Sequence, residues 1–286
     1  MSRRAFAELA GLAYVLAASV ALAQEAAPRR IEIAYEQPKD AAHRPILDAV
    51  REARVLETFQ QALSPFRLPR TLTARIAGCD GEVNAFYENG VITVCYEYLD
   101  YVSEVARSRR RPAWLTEKGA IMGPTLDVFF HEAGHALFEY LHIPVLGREE
   151  DAADQVSALA LLHLGREDAA QLVGGVAFMY LEEAGVTPRT LNWPRLRFMR
   201  AATYADEHGT PLQRKFNLLC LAYGQDPRRF GAAVETGALP KARAEQCDYE
   251  YRQALYAFDT LLAPHFDKAL AIETYGADNP TLKPTR

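Results

Sequence analysis

The residues with the clearest capacity for chemistry lie in the segment His131–His135, whose sequence is HEAGH. On a helix, His131 and His135 would project from one face a turn apart, so that both imidazoles could reach one metal ion. Glu132 would lie beside that ion, where its carboxylate can accept a proton from a metal-bound water. The flanking residues are apolar or small, which predicts a largely buried helix whose polar groups need partners. The pattern therefore predicts a zinc site, with a metal-free cluster on the helix surface as the alternative.

A third ligand is needed, because a catalytic zinc ion usually has three protein ligands and one water. Glu139 continues the i+4 series, but it would lie about 12 Å from His131 along a straight helix. The longer pattern HExxHxxGxxH is excluded, because Phe138 and Leu141 stand where glycine and histidine would be required. The third ligand must therefore come from another element.

The acidic segment Glu149–Asp154 is the better source of that ligand. The preceding stretch 142–147 contains a proline and predicts a turn, which lets a second helix fold back antiparallel against the first. Glu150 would then point at the metal, while Asp154, one turn later, would hydrogen-bond the ring N–H of a ligand histidine. Glu150 is preferred to Glu149 because only Glu150 has an acid four residues later, and the choice between them stays open. A solvated acidic first turn, favoured by the helix dipole, is the alternative.

Hydrolysis through a tetrahedral intermediate also needs a group that stabilises the oxyanion. His208 is the candidate, at a predicted helix end, and Tyr204 is the alternative donor. A histidine that only complements the helix dipole is the competing interpretation of His208. The strand-like run Val91–Tyr96 is expected to line the cleft and to pair with an extended peptide by edge addition.

The elements that must position these residues follow from hydrophobic spacing. Alternating residues predict strands at 31–35 and 72–76, and Asn89 with Gly90 predicts a hairpin between the runs 83–87 and 91–96. Helical spacing predicts one amphipathic helix from Ile46 to Leu63 and further helices at 99–108, 124–141, 149–164, 167–184, 195–207, 211–223 and 244–263. The predicted fold class is α+β, with a small N-terminal mixed sheet that includes the hairpin and a mostly helical part after it.

Composition and charge restrict the class of protein. The chain has 286 residues, of which 49% are hydrophobic and 24% charged, and its net charge is -5. An acidic chain argues against a nucleic-acid binder, which would show a basic field. Residues 1–23 have the pattern of a signal peptide, in which Arg3 and Arg4 precede an apolar run that ends in ALA. We expect cleavage after Ala23, a periplasmic or secreted protein and no stable membrane insertion; an uncleaved anchor is the alternative.

Export changes the interpretation of the four cysteines. An even number in an exported protein predicts two disulfides. The pairs Cys79–Cys95 and Cys220–Cys247 are favoured, because each pair brackets one local unit. The chain has no CxxC motif, so a cysteine zinc site or redox motif is not expected. Four buried free thiols are the alternative.

The segment HEAGH followed by EDAAD resembles the gluzincin clan of zinc metallopeptidases, in which HExxH precedes a glutamate ligand in ExxxD. The wider chain is similar to a bacterial family of exported metallopeptidases, a domain of unknown function, in Asn84–Tyr87, Cys95–Glu97, the two predicted metal helices, Asp206–His208 and Asn217–Pro227. The resemblance implies one zinc ion held by His131, His135 and Glu150. It also implies a single zincin-like domain at 24–286, with its α+β front at about 31–98 and its helical back at about 99–286.

These residues and the resemblance together predict an exported zinc-dependent metallopeptidase that acts on a peptide or protein substrate, with Glu132 as the general base. A non-catalytic binding module that keeps the zinc site is one alternative, against which the intact Glu132 argues. A zinc amidase that acts on cell-wall peptide is the other.

Overall fold

A four-stranded mixed sheet occupies the N-terminal part of the computed structural model, which describes residues 31–163, 168–185 and 205–275. The strands are β1 (Ile31–Tyr35), β2 (Leu72–Ala77), β3 (Ala85–Glu88) and β4 (Val91–Cys95). Their order is β1-β2-β4-β3; β2 pairs in parallel with β1 and β4, while β3 and β4 are antiparallel. Strand β3 is therefore at one edge of the sheet, and β4 is internal.

The hairpin between β3 and β4 has the tight turn that the sequence predicts. Glu88 pairs with Val91, so only Asn89 and Gly90 lie in the turn. Both turn residues have positive φ, 49° and 86° respectively. Such a turn follows the right-handed twist of the strands, and asparagine and glycine tolerate its backbone best.

The predicted single helix from Ile46 to Leu63 is wrong. The structure has two helices there, α1 (Arg44–Glu52) and α2 (Val55–Leu63). Arg54 between them adopts a left-handed backbone with φ 53°. A single left-handed residue costs only about 1–2 kcal/mol, and both helices still bury their apolar faces, so the hydrophobic spacing continues across the break.

The remainder of the described chain is helical, which confirms the α+β class. The longer helices are α3 (Tyr96–Ser108), α4 (Glu117–Leu141), α5 (Glu149–His163), α6 (Ala169–Glu183) and α7 (Pro211–Gln225). They are followed by the short α8 (Gly231–Glu235) and α9 (Lys241–Ala244), then α10 (Cys247–Leu261) and α11 (Lys268–Tyr275). The helix predicted at 195–207 lies mostly outside the described residues, as does the predicted signal peptide.

Helix α4 begins at Glu117, well before the start that was predicted at Pro124. Thr116 caps the helix: its Oγ1 accepts the amide of Gly119 at 3.0 Å and donates to Oε1 of Gln171 on α6 at 2.8 Å. Pro124 lies inside the helix, although it has no backbone N–H to donate a hydrogen bond to the carbonyl one turn earlier. The prediction is wrong at this end because a cap and a contact with α6 extend the helix past the proline.

Close approach of the helices around α4 depends on glycine. A Cβ atom on Gly134, the small residue within HEAGH, would lie 2.9 Å from Cα of Ala153 on α5. On another side, a Cβ atom on Gly175 of α6 would lie 2.1 Å from the carbonyl oxygen of Gly119. The absence of side chains therefore lets α5 and α6 pack directly against the helix that carries the two histidines.

Two disulfides tie neighbouring elements together. Cys79–Cys95 joins the segment after β2 to the end of β4, and Cys220–Cys247 joins α7 to the start of α10. These are the two pairs favoured from the sequence. Within the described part of the chain, no helix has the length and apolar character needed to cross a membrane.

Candidate metal centre

Two imidazoles and one carboxylate converge between α4 and α5. His131 and His135 come from successive turns of α4, and Glu150 comes from the first turn of α5. The Nε2 atoms of the two histidines are 3.3 Å apart. Oε2 of Glu150 lies 3.0 Å from Nε2 of His131 and 3.4 Å from Nε2 of His135. The structure thus brings together the three residues that the sequence proposes as ligands, and their donor atoms form one group that could hold a metal ion.

The other ring nitrogen of each histidine is fixed by a carboxylate. Nδ1 of His131 lies 2.9 Å from Oδ1 of Asp154, and Nδ1 of His135 lies 2.8 Å from Oε1 of Glu149. An ionised carboxylate only accepts hydrogen bonds, so each Nδ1 carries a proton. In a neutral imidazole this leaves the lone pair on Nε2. Two nitrogen lone pairs and a carboxylate oxygen therefore face one point, which favours a cation there.

The spacing of the three donor atoms fits a small metal ion. Ligand atoms about 2.0–2.1 Å from one tetrahedral ion lie about 3.3 Å apart. The three separations here, 3.0, 3.3 and 3.4 Å, are close to that edge length. Both the donor set and its spacing therefore fit a metal with three protein ligands.

The electrostatics of the site also favour positive charge. Burial opposes protonation of His131, but its hydrogen bonds to Asp154 and Glu150 outweigh burial and raise its pKa to about 9. Burial opposes ionisation of Glu150 and Asp154, but the hydrogen bond from His131 to each of them, with the nearby histidines for Glu150 and Arg214 for Asp154, lowers the pKa of both carboxyls to about 2. Without a metal, a proton on His131 thus takes the place of the cation, and metal binding would release it.

Glu149 and Glu150 take different positions, which addresses the choice that the sequence left open. Glu150 reaches both Nε2 atoms, whereas Glu149 contacts only Nδ1 of His135 and its side chain is 55% exposed. Glu139 is engaged elsewhere: it forms a salt bridge with Arg70 and accepts a hydrogen bond from Tyr87 at 2.6 Å. Of the three acids, the geometry favours Glu150 as the ligand.

Glu132 lies beside the three donor atoms and faces a cleft. Glu132 is only 8% exposed, and its carboxylate has no hydrogen-bond partner within the part of the chain that the structure describes. Burial raises the pKa of its carboxyl above the ordinary value, although the nearby His131 and His135 act in the opposite direction. A buried carboxylate with a raised pKa and no partner is a stronger proton acceptor than an exposed one.

An arginine that sequence reasoning missed completes the surroundings of His131. Arg214 on α7 donates from Nε to Oδ2 of Asp154 at 2.8 Å and from Nη2 to Oδ1 at 2.5 Å. Its guanidinium lies over the ring of Tyr180, 4.7 Å from the centroid. The ion pair keeps Asp154 ionised, so that it can hold the proton on Nδ1 of His131.

The buried network continues from Tyr180 on α6 to Asp127 on α4. The hydroxyl of Tyr180 donates to Oδ2 of Asp127 at 3.1 Å, and the hydroxyl of Ser157 donates to Oδ1 at 2.6 Å. Two groups of hydrogen bonds, linked by the contact of Arg214 with the ring of Tyr180, therefore connect the four helices α4 to α7 behind the candidate metal ligands. One signal was available in the sequence: Asp127 stands one turn before His131, on the same helix face, in an otherwise apolar run.

His208 reaches the same site. Its Nε2 lies 2.7 Å from Oε2 of Glu150, and its ring stacks on that of His131 with centroids 5.7 Å apart. Glu207 has a carboxylate oxygen close to both Glu150 and His208, so these three also form a group of possible ligands. The alternative donor proposed from the sequence, Tyr204, lies outside the described residues.

A cleft of about 950 Å³ runs past the three donor atoms. Its lining includes 83–89, which contains β3, and residues such as Tyr98 and Tyr180. The expectation that Val91–Tyr96 would pair with a peptide is wrong, because β4 lies between β2 and β3 and both of its edges are occupied. The hairpin places β3 outside β4, and among the described strands β3 pairs only with β4, so the free edge beside the cleft belongs to β3.

Comparison with known proteins identifies the family of the chain. Residues 35–262 match the family model DUF4344, which is described as "Putative metallopeptidase". The chain belongs to this metallopeptidase family. The match covers most of the chain and includes the two histidines, Glu132, Glu150 and His208. No curated protein and no solved structure matches the chain. Family membership supports a metal-dependent hydrolase in general terms and specifies neither the metal nor the substrate.

Proposed function

We propose that the chain is an exported zinc-dependent metallopeptidase that hydrolyses peptide bonds. The observation that carries the proposal is the convergence of His131, His135 and Glu150 beside the buried, unpaired carboxylate of Glu132 in an open cleft. Two imidazoles with one carboxylate at tetrahedral spacing are a donor set that zinc takes in hydrolases. Membership of the family supports a peptidase over other zinc-binding proteins.

In the proposed mechanism, His131, His135 and Glu150 would hold the zinc ion, which would supply Lewis acidity for the scissile carbonyl and the attacking water. Glu132 accepts a proton from the attacking water on its carboxylate and then donates it to the nitrogen of the leaving amine. Asp154 and Glu149 keep the Nδ1 protons of the two histidines in place. Each ring therefore presents only its Nε2 lone pair to the site.

We assign His208 as the hydrogen-bond donor that stabilises the oxyanion. Its imidazole lines the cleft beside Glu150, and its side chain is 39% exposed, so substrate can reach it. The carboxylate of Asp206 lies 3.4 Å from Nδ1 of His208. Oε2 of Glu150 lies closer, 2.7 Å from Nε2, and a carboxylate only accepts hydrogen bonds, so Nε2 carries a hydrogen that it can donate to the oxyanion.

We propose that β3 positions the substrate. Residues of this edge strand line the cleft, and an extended peptide could add to the sheet there through main-chain hydrogen bonds. The two disulfides support export, because such bonds persist mainly in oxidising compartments.

The proposal is tested by metal analysis of the purified protein, together with cleavage of an unfolded protein before and after chelation. We expect one zinc ion per chain, cleavage that a chelator abolishes, and recovery when zinc is restored. A protein that binds zinc but cleaves nothing would support the non-catalytic module instead. Cleavage of wall fragments without cleavage of polypeptides would support the amidase.

A further inference from the structure

The lining of the cleft carries far more acid than base. Among its described residues it has eight carboxylates and a single arginine. The carboxylates belong to Glu88, Asp127, Glu132, Glu139, Glu149, Glu150, Glu183 and Glu207, and the arginine is Arg214. The described part of the lining therefore carries an excess of acidic side chains.

The one arginine does not offset these acids. Both Nε and Nη2 of Arg214 are engaged by Asp154. Some acids are also accounted for: Glu139 pairs with Arg70, and Glu149 and Glu150 face the histidines of the metal centre. These contacts leave no free cationic side chain among the described residues of the lining.

Two further acids of the lining form no salt bridge with any described residue. Glu88 ends the edge strand β3 and is exposed, and Glu183 ends α6. Burial raises the pKa of Glu183 to about 7, so its carboxylate is fully charged only above that pH. Glu132, a residue that is 8% exposed, adds a carboxylate that faces the cleft and has no hydrogen-bond partner among the described residues. A substrate in the cleft would thus lie between unpaired negative charges.

We infer that the substrates are cationic peptides, which place a lysine or arginine side chain or a free amino terminus in the cleft. A concave site lined by one sign of charge focuses its field, attracts opposite charge and disfavours like charge. The inference rests on the proposed peptidase function and specifies the class of substrate. It predicts a preference for basic over neutral peptides and a stronger one over acidic peptides.

Binding can be measured without turnover in the zinc-loaded Glu132→Gln variant. The probes are peptides of equal length with a fluorophore at the carboxyl end. Three are acetylated and carry two lysines, two glutamines or two glutamates, and the fourth is the glutamine peptide with a free amino terminus. We expect the lysine peptide to bind at least ~10-fold more tightly than its glutamine counterpart, with a smaller difference in high salt. Preference only for the free amino terminus would assign the recognised cation to that group.

Equal affinities across the series, tighter binding of the glutamate peptide, or no binding of any peptide would overturn the inference. Failure of the proposed function gives a different result. Charge-dependent binding without cleavage by the wild-type protein would contradict the peptidase assignment alone. Cleavage without charge preference would contradict only the inference.

A matched pair of double variants separates the cleft from the net charge of the protein. At about pH 8, above the pKa of Glu183, Glu88→Gln with Glu183→Gln removes two charges from the cleft. Asp48→Asn with Glu52→Gln removes two from α1, where both residues are exposed and outside the cleft. We expect the cleft variant to lose most of the preference for the lysine peptide and the α1 variant to keep it. Equal losses in the two variants would show that the cleft is not responsible.

Discussion

The two histidines of HEAGH share one helix face but have different surroundings. The side chain of His131 is 5% exposed and contacts Asp154, which Arg214 holds in turn. The side chain of His135 is 16% exposed and contacts Glu149, which is 55% exposed. Exposed ion pairs contribute little because water and salt screen them, whereas a buried charge that loses its partner is costly. The inner histidine is therefore fixed by the fold, and the outer one mainly by its own helix.

The largest effect is expected from Glu132→Gln, which leaves both histidines and their partners in place. Loss of a general base lowers kcat by about 10²–10⁴-fold. Zinc content should not change, because Glu132 is not among the three converging donors. Peptide cleavage and metal analysis of the same preparation test this. A variant that kept its activity would show that another group accepts the proton.

Removal of Arg214 should disrupt the inner side of the site. In Arg214→Leu the partly buried Asp154, whose side chain is 20% exposed, loses both hydrogen bonds from the guanidinium. Loss of a partner costs about 3–5 kcal/mol for a fully buried charge, so we expect a destabilisation of up to about 3 kcal/mol here. We expect lower unfolding free energy in urea and weaker zinc binding in competition with a chelator. Arg243→Leu is the control, because Arg243 pairs with the more exposed Glu250. Equal zinc affinities for the two variants would contradict the role of Arg214.

Lys215 sharpens the comparison because it follows Arg214 in α7 and is also buried. Its Nζ donates to the carbonyl of Ala238 at 2.8 Å, and no carboxylate of the described chain pairs with it. Burial lowers its pKa from 10.5 to about 8. The unfolded chain therefore holds this proton more tightly. Burial of the charged amine therefore destabilises the folded protein. This destabilisation is fully present below pH 8 and disappears as the pH rises from the folded pKa towards the unfolded pKa.

Lys215→Met should consequently stabilise the protein at pH 7, by up to about 3 kcal/mol. The gain over the wild type should shrink as the pH rises above 8. Urea unfolding of both proteins between pH 7 and pH 10 measures the difference. Destabilisation at pH 7, or a gain in stability that does not change with pH, would mean that burial of the charged Lys215 amine does not destabilise the protein.

Asp154→Asn tests the inner histidine directly. Loss of a carboxylate that orients a ligand histidine typically weakens metal binding by about 10–100-fold. We expect a loss in this range, measured by chelator competition near neutral pH. Wild-type affinity in this variant would show that the hydrogen bond to Nδ1 of His131 does not matter for the metal.

Glu149→Gln should have the smallest effect. The glutamine can still accept the proton of Nδ1 of His135 through its oxygen, and the original contact is largely exposed. Zinc affinity should fall by less than about 3-fold, since exposed pairs of this kind contribute about 0–1 kcal/mol. If this variant lost as much zinc affinity as Asp154→Asn, the carboxylates behind the two histidines would matter equally for the metal. The distinction between an inner and an outer histidine would then be wrong.

The same contrast explains what the sequence could predict. The two histidines, Glu150 and Asp154 follow from spacing along two consecutive helices, and the hairpin follows from Asn89 and Gly90. These signals are local, because helix and turn geometry fix which neighbours share a face. Arg214 pairs with Asp154 across 60 positions of the chain, and no local pattern marks such a contact.

The errors have a similar physical origin. A single left-handed residue, Arg54, divides the first predicted helix without disturbing its apolar spacing. Thr116 and a contact with α6 carry α4 across Pro124, against local propensity. Strand order depends on which strands pair, so the sequence identified the hairpin but not which of its strands is the free edge.

The central claim is that three side chains from α4 and α5 hold one zinc ion, and anomalous diffraction at the zinc edge tests it most directly. Crystals of the zinc-loaded protein should show one strong peak within about 2.0–2.2 Å of Nε2 of His131, Nε2 of His135 and a carboxylate oxygen of Glu150. No peak at this position in zinc-loaded crystals, or a peak bonded to other residues, would contradict the account.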